Sequence, residues 1–397
     1  MITYRLKQHC RNTKVKVRTY TFFLGDDCIP HSSEENERVK RICASLPIVS
    51  TMQDVRTSRV TLQTIVFSDL YELESALIGL RVNYDKFRAS GVRWVNQPLV
   101  YKGNMGDYSY NSVVSRLVTL LVELPNLFIS IRSSEFSNSL VPAHLYASVC
   151  KSLSRVDITG GINFRFGIGF EIASGTPYYP FSYSSNFGAS LGIESLPVVA
   201  KELAANKEIR LSDKALEALS NCYDGAQKTL DSCNIPLLGG DWSLAPVPHT
   251  TDSVAQLIED QGYTVGSSGA LSVVGSLTAE LKRMAVDANI KASGFNGVML
   301  SVLEDDLLAR RFSEGSVTVN DLIMYSAVCG VGVDMVPIPG ETSEATIVGV
   351  ARDLAMMASR LQKPLGLRLL PIQGKRSGAI TRFNHDFLND TCIQGLR

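Results

Sequence analysis

Residues 297–312 read GVMLSVLEDDLLARRF, and this stretch decides the fold class. Its first seven residues, Gly297 to Leu303, are an apolar run of strand length. Three acids follow at residues 304–306, and a helical pattern continues to Phe312. The acids either complement the dipole of that helix or belong to a functional site. A strand that passes directly into a helix is the repeating unit of an α/β protein.

The same alternation extends outward in both directions from this stretch. Apolar or β-branched runs predict strands at residues 15–24, 56–67, 127–132, 161–172, 187–194, 235–244 and 365–371. Helical spacing predicts helices at residues 33–45, 69–90, 112–124, 142–153, 200–231, 251–259, 276–288 and 342–361, with a further helix opening at residue 318. Residues 328–336 are Gly-rich and are left outside these elements. With no linker or low-complexity tract, the chain is expected to form one integrated α/β domain.

Composition excludes several classes of protein. The 397 residues carry 39 basic and 39 acidic side chains, which argues against a dedicated nucleic-acid or membrane-surface binder. No apolar run reaches the roughly 18 residues of a spanning helix. Eight cysteines without a C-x-x-C pair predict a cytoplasmic protein with reduced thiols. Residues 1–14 form a basic N-terminal extension, for which a transit peptide stays an alternative. A homodimer is expected from the frequency of two-fold assemblies.

Three acids stand out because each ends or interrupts an apolar run. Glu194 ends the run 187–194, Asp241 follows Gly239 and Gly240, and Asp334 lies inside the run 327–340. Such carboxylates could act as general acids and bases, or bind a divalent cation such as Mg²⁺ or Ca²⁺. The two glycines would let the backbone approach a ligand closely. The alternatives are a carboxylate that accepts turn amides, or a salt bridge.

Five further residues are candidates for binding or catalysis. Arg368 lies in the apolar run LGLRLLP and could pair with one of these acids or bind an anionic substrate. Lys375 follows on a loop and could add a cationic contact, or be solvated. Tyr178 lies in a loop rich in Gly, Pro and Tyr that could line a pocket or pack in the core. Cys329 and His249 are candidates for nucleophile and proton relay, although most buried cysteines only pack.

Familiar catalytic signatures are missing from the sequence. It contains no G-x-x-x-x-G-K-[ST], no G-x-S-x-G and no H-E-x-x-H. Nucleotide binding through a known motif, nucleophile-elbow hydrolysis and zinc proteolysis are therefore not predicted.

Five segments in order resemble the family catalogued as domain of unknown function 711, also called uncharacterised protein family 0210. The resemblance covers roughly residues 15–390. Its last block is long enough to be quite specific, whereas Trp242, His249 and Glu341 depart from the usual pattern and point to a specialised member such as a biosynthetic enzyme. The segments are VRTYTFF from residue 17, GTPYYPFSY from 175, FGASLGIES from 187, GGDWSLAPVP from 239, and the three-part block GFNGVMLSVLEDDLLARRFSEG from 294, YSAVCGVGVDMVPIPGE from 325 and KPLGLRLLPIQGK from 363.

The resemblance implies a fold similar to pyruvate formate-lyase and anaerobic ribonucleotide reductase. That fold is a ten-stranded α/β barrel of two five-stranded halves with a hairpin loop inside. The halves would comprise residues 15–190 and 191–397. The glycyl-radical chemistry of those enzymes is not implied, because the tail from Asn389 to Arg397 lacks the R-V-x-G-Y-type loop.

Residues and resemblance together predict a non-radical barrel enzyme with Glu194, Asp241 and Asp334 converging at the barrel mouth. It would act on a small polar metabolite, derived from an amino acid or a carboxylic acid, by acid/base or metal-assisted chemistry. One alternative is a ligand-sensing or scaffold protein of amino-acid metabolism without turnover. Another is a redox protein that uses an accessible Cys329.

Overall fold

Six strands from the first part of the chain fill five parallel positions in the sheet, because two of them lie end to end. The computed structural model describes residues 15–52, 55–133, 140–205 and 208–396. The short strand β3 continues the line of β2 along the same edge of β4. All neighbouring pairs among these strands run parallel. The strands are β1 Lys16–Phe23, β2 Val55–Thr61, β3 Ile65–Phe67, β4 Trp94–Tyr101, β5 Leu127–Ser133 and β6 Phe166–Phe170.

The second part of the chain supplies four regular strands, β7 Gly188–Glu194, β8 Leu237–Asp241, β9 Gly332–Pro339 and β10 Leu365–Ile372. The pairs β7–β8 and β9–β10 are parallel. Residues 291–303 lie between β8 and β9 without forming a continuous ladder. They make parallel bridges from Ala292 to Gly240, from Val298 to Leu244 and from Ser301 to Asp334.

The two sets of five join with opposite strand directions. Strand β1 pairs antiparallel with β7, and β6 pairs antiparallel with β10. Residues 291–303 link the two edge strands β8 and β9 at isolated bridges. The predicted ten-stranded α/β barrel of two five-stranded halves is thus confirmed. Because the halves run in opposite directions, the starts of the first-half strands share a mouth with the segments that follow the second-half strands.

Helices cover the outside of the barrel, so its strands are buried on both faces. This explains why β9 and β10 are buried along their whole length and read as nearly continuous apolar runs. No helix within the described ranges is long and apolar enough to cross a membrane. The helices are α1 Ser33–Met52, α2 Leu70–Ala89, α3 Tyr110–Glu123, α4 Val141–Val156, α5 Leu196–Ala205, α6 Asp213–Ser232, α7 Val254–Glu259, α8 Ala270–Asp287, α9 Asp306–Ser313, α10 Val319–Tyr325 and α11 Glu344–Leu361.

The connection between the two halves enters the barrel as a hairpin. Its arms meet at an antiparallel bridge between Thr176 and Tyr183. The Thr21 hydroxyl donates to the Pro177 carbonyl at 2.9 Å, and the Asn96 amide donates to the Ser182 carbonyl at 2.9 Å. Inward-facing polar groups of the strands thereby satisfy the buried backbone of the loop. The hairpin fills one end of the barrel and leaves space at the other.

Candidate functional site

A cavity of about 290 Å³ opens at the mouth described above. The starts of β1, β2 and β4 form one side of the cavity. The other side is formed by residues that follow β8 and by Phe295, Met299 and Glu304. The hairpin closes the cavity from inside the barrel through Tyr178, Tyr179 and Phe181, and residues 386–387 reach its rim. Both halves of the barrel are therefore needed to build the site.

The lining of this cavity is basic, although the whole chain is neutral. It contains the acids Glu304, Asp334 and Asp386. It also contains five arginines, of which only Arg368 was predicted from the sequence as a site residue. The five are Arg18, Arg56, Arg59, Arg93 and Arg368.

Arg59 is a lining arginine whose guanidinium has no hydrogen bond or ion pair among the described residues. It lies at the middle of β2, opposite Thr21 of β1. Its guanidinium carbon lies 5.1 Å from the centre of the Tyr179 ring. Its Nε is shielded from solvent and has no hydrogen-bond partner among the described residues. Burial lowers the pKa of Arg59 to about 10, so the side chain stays charged at neutral pH. A half-buried cation with unused donors is suited to bind an anion.

Arg368 and Asp334 neutralise each other on neighbouring strands. Arg368 donates through Nε and one terminal nitrogen to the two carboxylate oxygens of Asp334, both at 2.7 Å. Both side chains are buried, and the other terminal nitrogen donates to the Phe164 carbonyl at 3.0 Å. Of the two roles considered for Arg368, the structure shows pairing with an acid. Most of the donors proposed for substrate binding are thereby occupied.

Glu304 lies on the cavity wall with a free carboxylate. The next residue, Asp305, is the N-cap of α9 and accepts the amides of Leu307 and Leu308, both at 3.1 Å. The capping role therefore belongs to Asp305. Within the described ranges, no hydrogen bond or ion pair engages the Glu304 carboxylate, although Arg59 and Arg368 lie close enough to act on it electrostatically. The sequence grouped three acids that the structure assigns to different tasks.

Tyr178 lines the cavity, as was considered for its loop. Its hydroxyl is shielded from solvent and unpartnered in the described part of the chain. Burial raises the pKa of Tyr178, so the hydroxyl keeps its proton and remains a hydrogen-bond donor. Arg59 and Tyr178 thus place two unsatisfied donor groups in the wall of the same cavity.

Aromatic rings form the outer wall of the cavity. Trp94 and Tyr179 contact Phe128 at ring-centre distances of 5.3 Å, and Phe164 contacts it at 5.1 Å. Phe387 lies parallel to Phe164, with ring centres 6.3 Å apart. These contacts hold the rings in fixed orientations around the opening.

The three predicted carboxylates are not brought together. Asp334 pairs with Arg368 as described, and Glu194 pairs with Arg56 at 3.0 Å. Asp241 is fully buried and accepts the Ser243 hydroxyl at 2.5 Å and the Phe295 amide at 2.7 Å. No three His, Cys, Asp or Glu side chains in the described ranges are placed to hold a metal ion. The expected convergence of these acids at the mouth is therefore wrong.

Gly239 and Gly240 serve the closure of the barrel. A Cβ at Gly239 would lie 2.8 Å from the Cβ of Ser293, and one at Gly240 would lie 3.1 Å from the Trp242 ring. The close approach that these glycines allow is to residues 291–303 and to Trp242. Neither glycine lines the cavity.

Three other candidates also lie outside the cavity lining. Cys329 is buried, and burial raises the pKa of its thiol, although Lys363 acts in the opposite direction. His249 and Lys375 are exposed on loops, and the His249 amide donates to Asp306 at 3.0 Å. The accessible thiol that a redox role requires is not found at Cys329.

Comparison with known proteins identifies relatives without a described activity. The family model "Uncharacterised ACR (DUF711)" matches residues 102–384. A UPF0210 protein of Lacticaseibacillus paracasei is 31% identical over 199 residues, which are 49% of this chain and 44% of the relative. A UPF0210 protein of Methanospirillum hungatei is 35% identical over 159 residues, 40% of this chain and 35% of the relative. The chain thus spans less than half the length of these relatives.

Among solved structures, the anaerobic ribonucleotide reductase from Thermotoga maritima is similar over 88% of this chain and 80% of that one. The TM-score is 0.41 and the sequence identity is 9%. The architecture of the present chain rests on its own strand pairing.

Proposed function

We propose a function from the cavity itself, because the chain belongs to the uncharacterised family DUF711, whose description names no activity. The cavity binds a small anionic metabolite, and the protein acts on it by acid/base chemistry without a radical. The observation that carries the proposal is the charged Arg59, which lines the cavity and whose guanidinium has no hydrogen bond or ion pair among the described residues.

The roles follow from what each side chain has free. Arg59 donates to the anionic group of the substrate, and Tyr178 donates a second hydrogen bond. Glu304 accepts or delivers a proton, because its carboxylate faces the same space without another partner. The Arg368–Asp334 ion pair holds in place the part of the cavity wall that lies behind these three residues. In this scheme the acid/base group is Glu304 and not one of the three acids singled out from the sequence.

A ligand-sensing protein without turnover would use the same Arg59 site, so Glu304 is the residue that separates the two functions. We would incubate the full chain with a small-molecule cell extract and follow converted and retained metabolites by mass spectrometry. Glu304→Gln should retain the bound anion and lose conversion, whereas the exposed control Glu217→Gln should keep both. Unchanged conversion by Glu304→Gln would refute the acid/base role. Retention without conversion by the native protein would favour the sensor.

The remaining expectations stay predictions. A cytoplasmic location, a homodimer and a bound divalent cation are separate proposals that the Arg59 site does not require. Metal analysis and light scattering of the purified full chain would check the last two.

A further inference from the structure

We infer that the ligand of this cavity is a carboxylic acid with one negative charge and a planar, aromatic body. The inference rests on the proposed anion site and names the class of molecule that the rest of the cavity accepts. It comes from three independent properties of the lining: net charge, apolar floor and aromatic wall.

The charge of the lining fits a monoanion. Arg56 is paired with Glu194, and Arg368 is paired with Asp334. The remaining lining charges are three arginines and two acids: Arg18, Arg59, Arg93, Glu304 and Asp386. One positive charge is left in excess. A carboxylate balances it, whereas a phosphate dianion would leave the site negative.

Geometry assigns that excess charge to Arg59. Arg18 donates to the carbonyls of Ala245 and Pro246 at 3.1 and 3.0 Å, so its guanidinium is already used to join β1 to the segment after β8. Arg93 is exposed and lies over the Phe387 ring at 4.6 Å. Of these three arginines, Arg59 alone is half-buried and has no hydrogen-bond partner for its guanidinium within the described ranges.

The floor of the cavity is apolar. A small hydrophobic cluster, separate from the main core, lies beneath the opening. Six of its seven buried members also line the cavity: Tyr178, Phe181, Ala245, Phe295, Met299 and Val331. A second carboxylate or a polyhydroxylated chain placed against these side chains would lose its hydrogen bonds to water without replacement.

The wall and the volume select for shape. Trp94, Phe128, Phe164 and Phe387 present fixed aromatic surfaces at one side of the opening. A planar ring would add offset or edge contacts to this set. Cavities that hold drug-sized ligands start at roughly 300 Å³, so a volume of about 290 Å³ suits a body of one or two rings.

The test uses four probes on the full chain by isothermal titration calorimetry. Phenylacetate carries the ring and a single charge, phenylacetamide only the ring, succinate two charges without a ring, and phenyl phosphate a ring with a dianion. We expect phenylacetate to bind at least about tenfold more tightly than each of the others, because each lacks at least one of the matched properties. Equal or tighter binding of succinate or phenyl phosphate would overturn this inference while leaving the anion site intact. Binding of phenylacetamide alone, or of no probe at all, would refute the anion site as well.

A variant pair separates the aromatic wall from general stability. Phe387→Leu keeps an apolar side chain and removes the ring, and should weaken phenylacetate binding about three- to tenfold while leaving succinate binding unchanged. Tyr71→Leu replaces a ring that is 84% exposed on α2, and should change neither. If Phe387→Leu weakened the binding of phenylacetate and of succinate equally, the inference that the aromatic wall recognises a ring in the ligand would be wrong.

Discussion

Replacing Arg59 should improve stability slightly while it removes binding. The lowered pKa of Arg59, from 12.5 to about 10, corresponds to roughly 3 kcal/mol of unfavourable charge burial. Because the side chain is only partly buried, we expect about 1–2 kcal/mol to be felt in the folded protein. Arg59→Met removes that cost and also loses the contact with the Tyr179 ring, worth about 0.5–1 kcal/mol. The net change lies between about zero and a gain of about 1.5 kcal/mol.

The two readouts of this variant move in opposite directions. At the unfolding entropy usual for a chain of this length, about 1 kcal/mol raises the melting temperature by roughly 1 °C. Loss of a charge-assisted hydrogen bond of about 1.5–3 kcal/mol weakens phenylacetate binding roughly 10- to 150-fold. Differential scanning calorimetry and titration calorimetry measure the two effects on the same sample.

An arginine that only supports the fold would behave differently. Its removal would lower the melting temperature by several degrees and weaken binding only through that loss. A fall of more than about 3 °C in Arg59→Met, or an unchanged affinity, would refute the assignment of Arg59 as the anion-binding group. The exposed Arg352→Met on α11 controls for loss of charge and should leave both readouts at native values.

Three further predictions concern buried groups. Asp334→Asn leaves Arg368 charged and unpaired in the barrel wall, and should lower the free energy of unfolding in urea by about 3–5 kcal/mol; a loss below about 1 kcal/mol would contradict the pairing argument. Burial raises the folded pKa of Asp241 from 3.8 to about 6, so its contribution is most favourable below pH 4, is lost as the pH rises towards 6, and costs up to about 3 kcal/mol above that; Asp241→Asn should flatten the decline of melting temperature over this window, and an unchanged slope would argue against the shift. Cys329 should stay unmodified by iodoacetamide in the native protein and react only after unfolding, as peptide mass spectrometry would show; rapid native alkylation would reopen the redox role.

The fold was predictable to a large extent because strand and helix signals are local. The main misses have local causes too. Strand β4 contains Pro98, which weakens its apolar pattern, and β9 follows three residues after Cys329 in a segment dominated by Gly and Pro. Residues 200–231, which were expected to be mostly helical, belong to two helices, α5 and α6. The resemblance supplied the barrel, which no periodicity could have specified.

The site was predictable only in part, because partners meet across the sheet. Asp334 and Arg368 are 34 residues apart, and the register of β9 on β10 brings them together. A lone acid in an apolar run therefore marked a buried ion pair. Arg59 is likewise a charged residue inside a β-branched run, residues 56–67, but only Arg368 was predicted from such a pattern. Glu304 could not be distinguished from a helix-capping acid in the sequence, because its neighbour Asp305 caps the helix.

Residues 291–303, which bridge β8 and β9, make the free energy of local opening differ between parts of the barrel. Strand β1 is held by ladders on both sides, whereas this segment is held at scattered bridges and by the Asp241 carboxylate, which accepts the Phe295 and Asn296 amides. Local opening needs the least free energy where ladders are interrupted. We therefore expect amide protons of this segment to exchange faster than those of β1, and to be slowed by a ligand that rests on Phe295 and Met299. The amide exchange rates of residues 291–303, the least stable part of the barrel, would then also report whether a ligand occupies the cavity.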